Sequence, residues 1–143
     1  MDQVYSGHGV RFCYPTGWEL AENQEDQDVA MTVVGEGTSF WTLQLLAGRP
    51  DPGRVLEEAL KTFHGEYAEL DEYPIEATIN QTRCQARDVQ FMQYELINSA
   101  FLRAFSLGSW TAFVLYQGND EELNQTRPLL EAITASLSWD GDA

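Results

Sequence analysis

The chain has 143 residues, of which 23 are acidic and 8 are basic, and its formal net charge is −15. Such a charge repels phosphate backbones and anionic membranes, so we expect no nucleic-acid partner. Hydrophobic residues make up 43% and include seven Phe, six Tyr and four Trp, a composition typical of a folded globule. The length predicts a single domain over residues 1–143.

The sequence shows no targeting or membrane segment. No apolar run approaches the roughly 18–20 residues that a membrane span requires. The N-terminal residues lack a basic region followed by an apolar core, so no signal peptide is visible and we expect a cytoplasmic location. Cys13 and Cys84 both fall within predicted strands. In that compartment two buried free thiols are expected, and a disulfide is the alternative.

The first third of the chain predicts short strands. Apolar and aromatic residues favour strands over four segments: residues 10–14, 18–20, 29–34 and 40–46. Residues 15–17, Pro-Thr-Gly, indicate a turn, and residues 35–38 indicate a hairpin turn. Between them, residues 22–28 are acidic and rich in Gln, and we predict a loop without core residues.

A helix is predicted over residues 52–67. Asp51 can cap its free amides, and Pro52 suits the first helical position because it has no amide hydrogen. Apolar residues then recur at helical spacing: Leu56, Ala59, Leu60, Phe63 and Tyr67. The polar residues 69–80 predict an extended edge segment, because Pro74 is tolerated at a sheet edge.

Residues 84–117 predict three consecutive antiparallel strands, with turns near residues 95–98 and 107–109. The last two of these strands are apolar on both faces, so each face needs a covering layer. The first is irregular, and a β-bulge near Asp88 would explain its pattern. Arg87 and Arg103 either lie at strand ends and reach outward, or one of them pairs with Asp88 inside a covered layer.

A second helix is predicted over residues 119–137, with Leu130, Ile133 and Leu137 on one face. Pro128 either kinks this helix or marks the first turn of a shorter one. Residues 139–143 are predicted to be a flexible tail. The fold class is therefore α+β, an antiparallel sheet sandwiched between helices (α/β/α). Which helix covers which face stays open.

Two motifs at the ends of the chain resemble PsbP-like domains. Residues 12–18, FCYPTGW, resemble the opening of these domains, and residues 135–139, ASLSW, resemble their closing helix end. The group includes the PsbP proteins of photosystem II, a small Ran-binding protein and bacterial DcrB-like proteins. The resemblance implies the same α/β/α sandwich. It also implies an accessory role, such as binding a partner protein, assisting assembly or acting as a chaperone.

The residues indicate no catalytic, cofactor-binding or metal site. His8 and His64 are the only histidines, and no carboxylates stand near them at ligand spacing, so we expect solvated side chains. His8 precedes Cys13 by five residues, about 16 Å along an extended chain, which is too far to activate a nucleophile. No Gly-x-Ser-x-Gly motif or phosphate-binding loop occurs. We expect a protein that is not an enzyme and uses no cofactor.

We therefore predict a protein-interaction or chaperone-like accessory module whose partner is another protein or a second copy of the chain. Trp41 is the candidate interface residue, because it follows a hairpin turn where its ring can be exposed. The alternative position for Trp41 is beneath a helix. The alternative function is small-ligand binding in a pocket between sheet and helix, lined by residues such as Phe91, Phe105 and Trp110.

Overall fold

The computed structural model describes residues 1–141 and 143. Within them the chain forms eleven strands and two helices, in this order: β1 (Gln3–Gly7), β2 (Val10–Tyr14), β3 (Glu19–Glu25), β4 (Asp28–Val34), β5 (Phe40–Leu46), α1 (Pro52–Glu66), β6 (Leu70–Pro74), β7 (Ala77–Ile79), β8 (Thr82–Gln93), β9 (Leu96–Leu107), β10 (Trp110–Asn119), α2 (Asp120–Ser136) and β11 (Ser138–Trp139).

A large antiparallel sheet organises the molecule. Its strand order is β3-β4-β5-β10-β9-β8-β6, and β7 also pairs with β8. The predicted three-strand meander is confirmed as β8, β9 and β10, and the predicted edge segment is confirmed as β6 and β7. A second, three-stranded sheet has the order β1-β2-β11.

The two helices cover opposite faces of the large sheet. On one face, α1 packs against β8, β9 and β10, with Leu56 and Leu60 facing Val89, Leu102 and Phe113 in one core cluster. On the other, α2 and the small sheet enclose the larger core cluster, which includes Phe12, Trp41, Phe105, Leu130 and Ile133. We call these the α1 face and the α2 face. This arrangement confirms the predicted α/β/α fold class.

Strand β8 changes its buried phase halfway along without a bulge. Its register against β9 is unbroken from Gln85 opposite Ala104 to Gln93 opposite Leu96, so the predicted bulge near Asp88 is wrong. Early in the strand Cys84 is buried in the core of the α2 face. Later Val89 is buried in the core of the α1 face. The phase changes because different helices cover the two ends of the strand.

Both helices begin as predicted. The Asp51 carboxylate accepts a hydrogen bond from the Arg54 amide at 3.1 Å, and the Asn119 side chain accepts one from the Glu122 amide at 2.8 Å. Each cap satisfies an amide that has no partner within its helix. Pro128 lies inside one continuous helix, so it does not mark the start of a shorter one.

The two end motifs contact each other. The Cys13 amide donates to Ser136 Oγ at 2.8 Å, and β11 pairs with β2 through Ser138 opposite Arg11 and Trp139 opposite Val10. These residues join the last helix to the first strands, so the motifs that carry the resemblance have a structural role.

Three sequence predictions fail at exposed or terminal segments. Strand β1 was not predicted, and β3 extends through Glu25 where a loop was expected. Both are held by backbone pairing with a neighbouring strand, although most of their side chains are exposed. A flexible tail is wrong for Trp139 and for Ala143, whose carbonyl accepts from the Ser109 amide at 2.8 Å. Asp142, also in the predicted tail, lies outside the described residues.

Candidate functional site

Trp41 is buried and is not an interface residue. Its side chain is 0% exposed and packs on Phe12, with ring centroids 4.7 Å apart. Its Nε1 donates to Thr134 Oγ1 on α2 at 2.9 Å. The helix therefore satisfies the polar end of the ring, and the prediction of an exposed anchor is wrong.

The two histidines lie far apart in the fold, each beside a carboxylate. His8 Nε2 lies 3.2 Å from Glu22 Oε1, which also accepts from the Tyr5 hydroxyl. His64 Nε2 on α1 lies 2.5 Å from Glu72 Oε2 on β6. Among residues 1–141 and 143, no group of three or more His, Cys, Asp or Glu side chains is placed to hold a metal ion.

Cys13 and Cys84 are free thiols, so the disulfide alternative is excluded. Cys84 is buried, as predicted, whereas Cys13 is only half-buried. Burial raises the pKa of the Cys84 thiol to about 11, although the Arg103 charge and a backbone hydrogen bond at Ile79 act in the opposite direction. A thiol in this environment stays protonated at neutral pH and is a poor nucleophile.

The predicted ligand-pocket residues do not meet. Phe105 and Trp110 lie in and against the core of the α2 face, where Phe105 packs on Trp139 with centroids 5.5 Å apart. Phe91 lies in the core of the α1 face, stacked on Tyr67 at 4.0 Å. A pocket lined by all three is therefore wrong, because the sheet separates them.

A groove does lie between α1 and the sheet, at another place. It has a volume of about 550 Å³ and lies where α1 stops short of β5. Most of its lining residues are apolar: Leu46, Pro50, Val55, Ala59, Phe63, Phe113 and Leu115. The remaining lining residues are polar: Gln44, Arg54, Glu58 and Thr62. We call it the α1 groove.

Exposed apolar side chains gather at the end of the β8–β9 hairpin. Met92 is 46% exposed, Tyr94 88%, Leu96 38% and Ile97 50%. Met92 and Ile97 are directly opposite each other in the register, so they form one continuous surface. We call these four residues the hairpin tip. Met92 and Ile97 also line a cleft of about 470 Å³, together with Ala68, Glu69, Leu70, Asp71, Gln90 and Phe91.

The turn at the hairpin tip has two left-handed residues, as does the turn at Asn80 and Gln81. Tyr94 and Glu95 have φ angles of 52° and 62°, in the left-handed region. Two-residue hairpin turns of this kind favour Asn-Gly because other side chains are strained there. A Tyr-Glu turn therefore sacrifices some stability to place an aromatic ring in solvent.

Charged residues converge in a third place, between α2 and β7. Arg103 Nη1 on β9 donates to Asp88 Oδ1 on β8 at 2.8 Å, with the Arg103 side chain 7% exposed. This contact confirms the alternative in which an arginine pairs with Asp88 inside a covered layer. On α2, Arg127 Nε lies 2.6 Å from Glu131 Oε1. The Arg127 guanidinium also lies 4.4 Å above the Phe101 ring.

The Tyr116 hydroxyl stands among these four charges. Burial raises its pKa, Glu131 and Asp88 raise it further, and Arg103 and Arg127 lower it. The space in front of these side chains has a volume of about 420 Å³ and is bounded by β7 and by Thr134 and Ala135 of α2. We call Asp88, Arg103, Tyr116, Arg127 and Glu131 the charged cleft.

The sequence contains partial signals for these surfaces. Arg127 and Glu131 stand four residues apart on one predicted helix face, which indicates an ion pair. Their approach to Arg103 depends on how α2 packs on the sheet. Met92 and Ile97 carry no sequence signal of exposure, because apolar strand residues normally indicate core.

Comparison with solved structures establishes the fold. Cyanobacterial PsbP from Synechocystis sp. PCC 6803 matches with a TM-score of 0.66 and 13% identity, over 96% of this chain and 92% of that chain. The chain has the PsbP-like fold. The match confirms the resemblance seen in residues 12–18 and 135–139. No family model matches the chain, and no curated protein matches it by sequence.

Two further structures share this architecture. LpqN of Mycobacterium tuberculosis, described as involved in cell envelope biogenesis, matches with a TM-score of 0.53 and 11% identity, over 90% of this chain and 82% of that chain. A protein from Bacteroides thetaiotaomicron VPI-5482 matches with a TM-score of 0.58 and 12% identity over 92% of this chain. The chain spans 45% of that protein's length. At these identities the likeness concerns the fold alone.

Neither helix of the described residues is sufficiently long and apolar to cross a membrane.

Proposed function

We propose that this chain is a non-enzymatic accessory protein that binds a partner protein through the hairpin tip. The observation that carries the proposal is the concentration of four exposed apolar side chains at the turn between β8 and β9. Aromatic and large apolar side chains of this kind are the usual energetic centre of protein interfaces. The adjoining cleft beside Leu70 and Phe91 can accept an apolar side chain from the partner.

The turn strain supports the same proposal. Tyr94 has few contacts that would offset a left-handed backbone, since its side chain is 88% exposed. Bulky residues held in the left-handed region are enriched at functional positions, and Tyr94 is such a residue. LpqN, which shares the fold, is described as involved in cell envelope biogenesis.

Site-specific photocrosslinking in the source cells tests the proposal. A benzophenone amino acid replaces Tyr94 in one variant and Glu57, an exposed residue of α1, in a second variant. We expect one reproducible crosslinked species from position 94 and none from position 57. The species is expected to weaken when Ile97→Ser is added and to persist when Val34→Ser is added, because Val34 is 45% exposed away from the tip.

The outcomes separate the possible partners. A species at twice the monomer mass means that the partner is a second copy, and sedimentation of the purified chain then shows concentration-dependent association. Crosslinking of equal yield from positions 94 and 57, or no crosslinking from position 94, contradicts the proposal.

A second candidate function, small-ligand binding, is favoured by the α1 groove. Its volume of about 550 Å³ and its apolar walls fit the general description of a ligand site, with volumes of about 300–1,000 Å³. Ala59 lies in the wall and is half-buried, so Ala59→Phe would fill the groove from the helix side. Binding of the apolar dye ANS is expected to fall with Ala59→Phe and to be unchanged with Lys61→Gln on the same helix. Equal dye binding by both variants contradicts the candidate.

A further inference from the structure

We infer that the charged cleft binds a small zwitterion of the amino-acid type, with its carboxylate on Arg103 and Tyr116 and its ammonium toward Glu131. This site lies on the α2 side of β8 and β9, away from both the hairpin tip and the α1 groove. It therefore does not depend on the proposed function.

The first argument is the unused hydrogen-bonding capacity of Arg103. Its three hydrogen bonds all leave from Nη1, to Asp88 Oδ1 at 2.8 Å, to the Leu102 carbonyl at 3.0 Å and to the Arg87 carbonyl at 3.2 Å. Among the described residues, no fully buried side-chain nitrogen or oxygen lacks a partner. The Nε and Nη2 groups of Arg103 are therefore open to the cleft, where they form the planar pair of donors that suits a carboxylate.

The second argument is the position of Tyr116. Tyr116 lines the cleft and is 4% exposed. Its hydroxyl has no hydrogen-bond partner among the described side chains and backbone. Because no fully buried side-chain oxygen among the described residues lacks a partner, the hydroxyl must be in contact with the open space of the cleft. A phenol beside a guanidinium adds a third donor for a bound carboxylate.

The third argument is the balance of charge. Arg103 and Arg127 face three carboxylates around the cleft, Glu76, Asp88 and Glu131, so groups of both signs line it with one negative charge in excess. Asp88 and Glu131 would repel a phosphate or a dicarboxylate, and the net charge of −15 on the whole chain would oppose its approach. A ligand that carries one charge of each sign instead pairs with both kinds of group. The Glu131 side chain lines the cleft and is 49% exposed, so its carboxylate can accept an ammonium group.

The fourth argument is the shape of the cleft. Its volume of about 420 Å³ lies within the range of small-molecule sites, about 300–1,000 Å³. One wall is β7, which is fixed by pairing with β8. The opposite wall is α2, fixed on the core by Leu130 and Ile133. Both walls are therefore set before a ligand arrives, which lowers the cost of binding.

Isothermal titration of the whole chain with each of the twenty amino acids tests the inference. We expect saturable one-to-one binding of at least one amino acid with a dissociation constant below about 1 mM. Acetate, methylammonium and inorganic phosphate serve as probes for one charge at a time, and each is expected to bind at least about tenfold more weakly. No saturable binding by any amino acid, or tighter binding of phosphate than of every amino acid, overturns the inference.

Variants locate the site. Tyr116→Phe and Glu131→Gln are each expected to weaken binding about tenfold, which corresponds to one hydrogen bond or ion pair. Ala135→Trp, at an exposed position on the cleft wall, is expected to abolish binding without disturbing the core. Lys61→Gln on α1 is the control and leaves binding unchanged. Circular dichroism verifies that each variant is folded, and unchanged binding in a folded Ala135→Trp variant overturns the inference.

Discussion

Arg103 and Asp88 form an ion pair between neighbouring strands beneath α2, with Nη1 and Oδ1 2.8 Å apart. Removing one member of a buried pair leaves the other charge without compensation, at a cost of about 3–5 kcal/mol. Arg103→Met is therefore expected to lower the free energy of unfolding by an amount near this range, as measured by urea denaturation. Asp88→Asn is expected to cost less, because the Asp88 side chain is 21% exposed. The double variant should lose less stability than the sum of the losses in the two single variants. Losses that add strictly would show that the two residues are not coupled.

Phe105→Ala is expected to lower the free energy of unfolding by about 3–5 kcal/mol. The side chain is 1% exposed in the core of the α2 face, so truncation leaves a cavity that surrounding strands cannot fill. Val4→Ala is the control, since Val4 is 48% exposed on β1 and should change stability by less than about 0.5 kcal/mol. A loss below about 1 kcal/mol for Phe105→Ala would mean that this face is not covered in solution.

The Cys84 thiol should make stability fall at high pH. Its pKa in the folded chain is about 11, above the ordinary value of 9.0, because burial disfavours the thiolate. Below about pH 9 both states keep the proton, and between about pH 9 and pH 11 only the unfolded state loses it, so the free energy of unfolding decreases with pH. Cys84→Ala is expected to show a shallower decrease across this window in urea denaturation. If the free energy of unfolding falls equally steeply with pH in the unsubstituted chain and in Cys84→Ala, the raised pKa of Cys84 is contradicted.

Asn119→Ala should weaken the start of α2. The Asn119 side chain accepts from the Glu122 amide at 2.8 Å, and loss of such a cap costs about 1 kcal/mol. Asn124→Ala is the matched control, because Asn124 is exposed within the same helix and alanine favours a helix interior. Thermal denaturation is therefore expected to show a lower melting temperature for Asn119→Ala and no decrease for Asn124→Ala. Equal shifts at both positions would exclude a capping role.

Tyr94→Asn combined with Glu95→Gly should stabilise the fold. Both positions have left-handed φ angles, 52° and 62°, which Asn and Gly adopt with less strain. The expected gain is about 1–2 kcal/mol in urea denaturation. Under the proposed function the same variant binds the partner less well, because it lacks the exposed ring. A loss of stability would instead show that Tyr94 makes contacts that support the hairpin.

The sequence predicted the parts of the fold that have strong local signals. The helices have a cap followed by an apolar stripe, and the central strands are apolar on both faces, so these elements and the α/β/α layers could be inferred. Strand β1 was missed and β3 was predicted too short, because most of their side chains are exposed and apolar and polar residues therefore do not alternate along them. Their stability comes from backbone hydrogen bonds with β2 and β4, which composition does not reveal.

The candidate sites depend on tertiary placement. Trp41 was expected either near the surface, because it follows a turn, or beneath a helix, and the structure shows the second position: α2 covers it and accepts its indole hydrogen bond. Met92 and Ile97 resemble core residues in the sequence, but they are 46% and 50% exposed at the end of the hairpin. The pairing of Arg103 with Asp88 was one of two alternatives, and only strand register could decide it.

The two edges of the large sheet carry charge of the same sign. On β3 the exposed residues include Glu19, Glu22 and Glu25, and on β6 they include Asp71 and Glu72. A second copy that approached either edge to continue the hydrogen-bonded ladder would bring carboxylates against carboxylates. The acidic composition thus limits growth of the sheet into fibres at neutral pH.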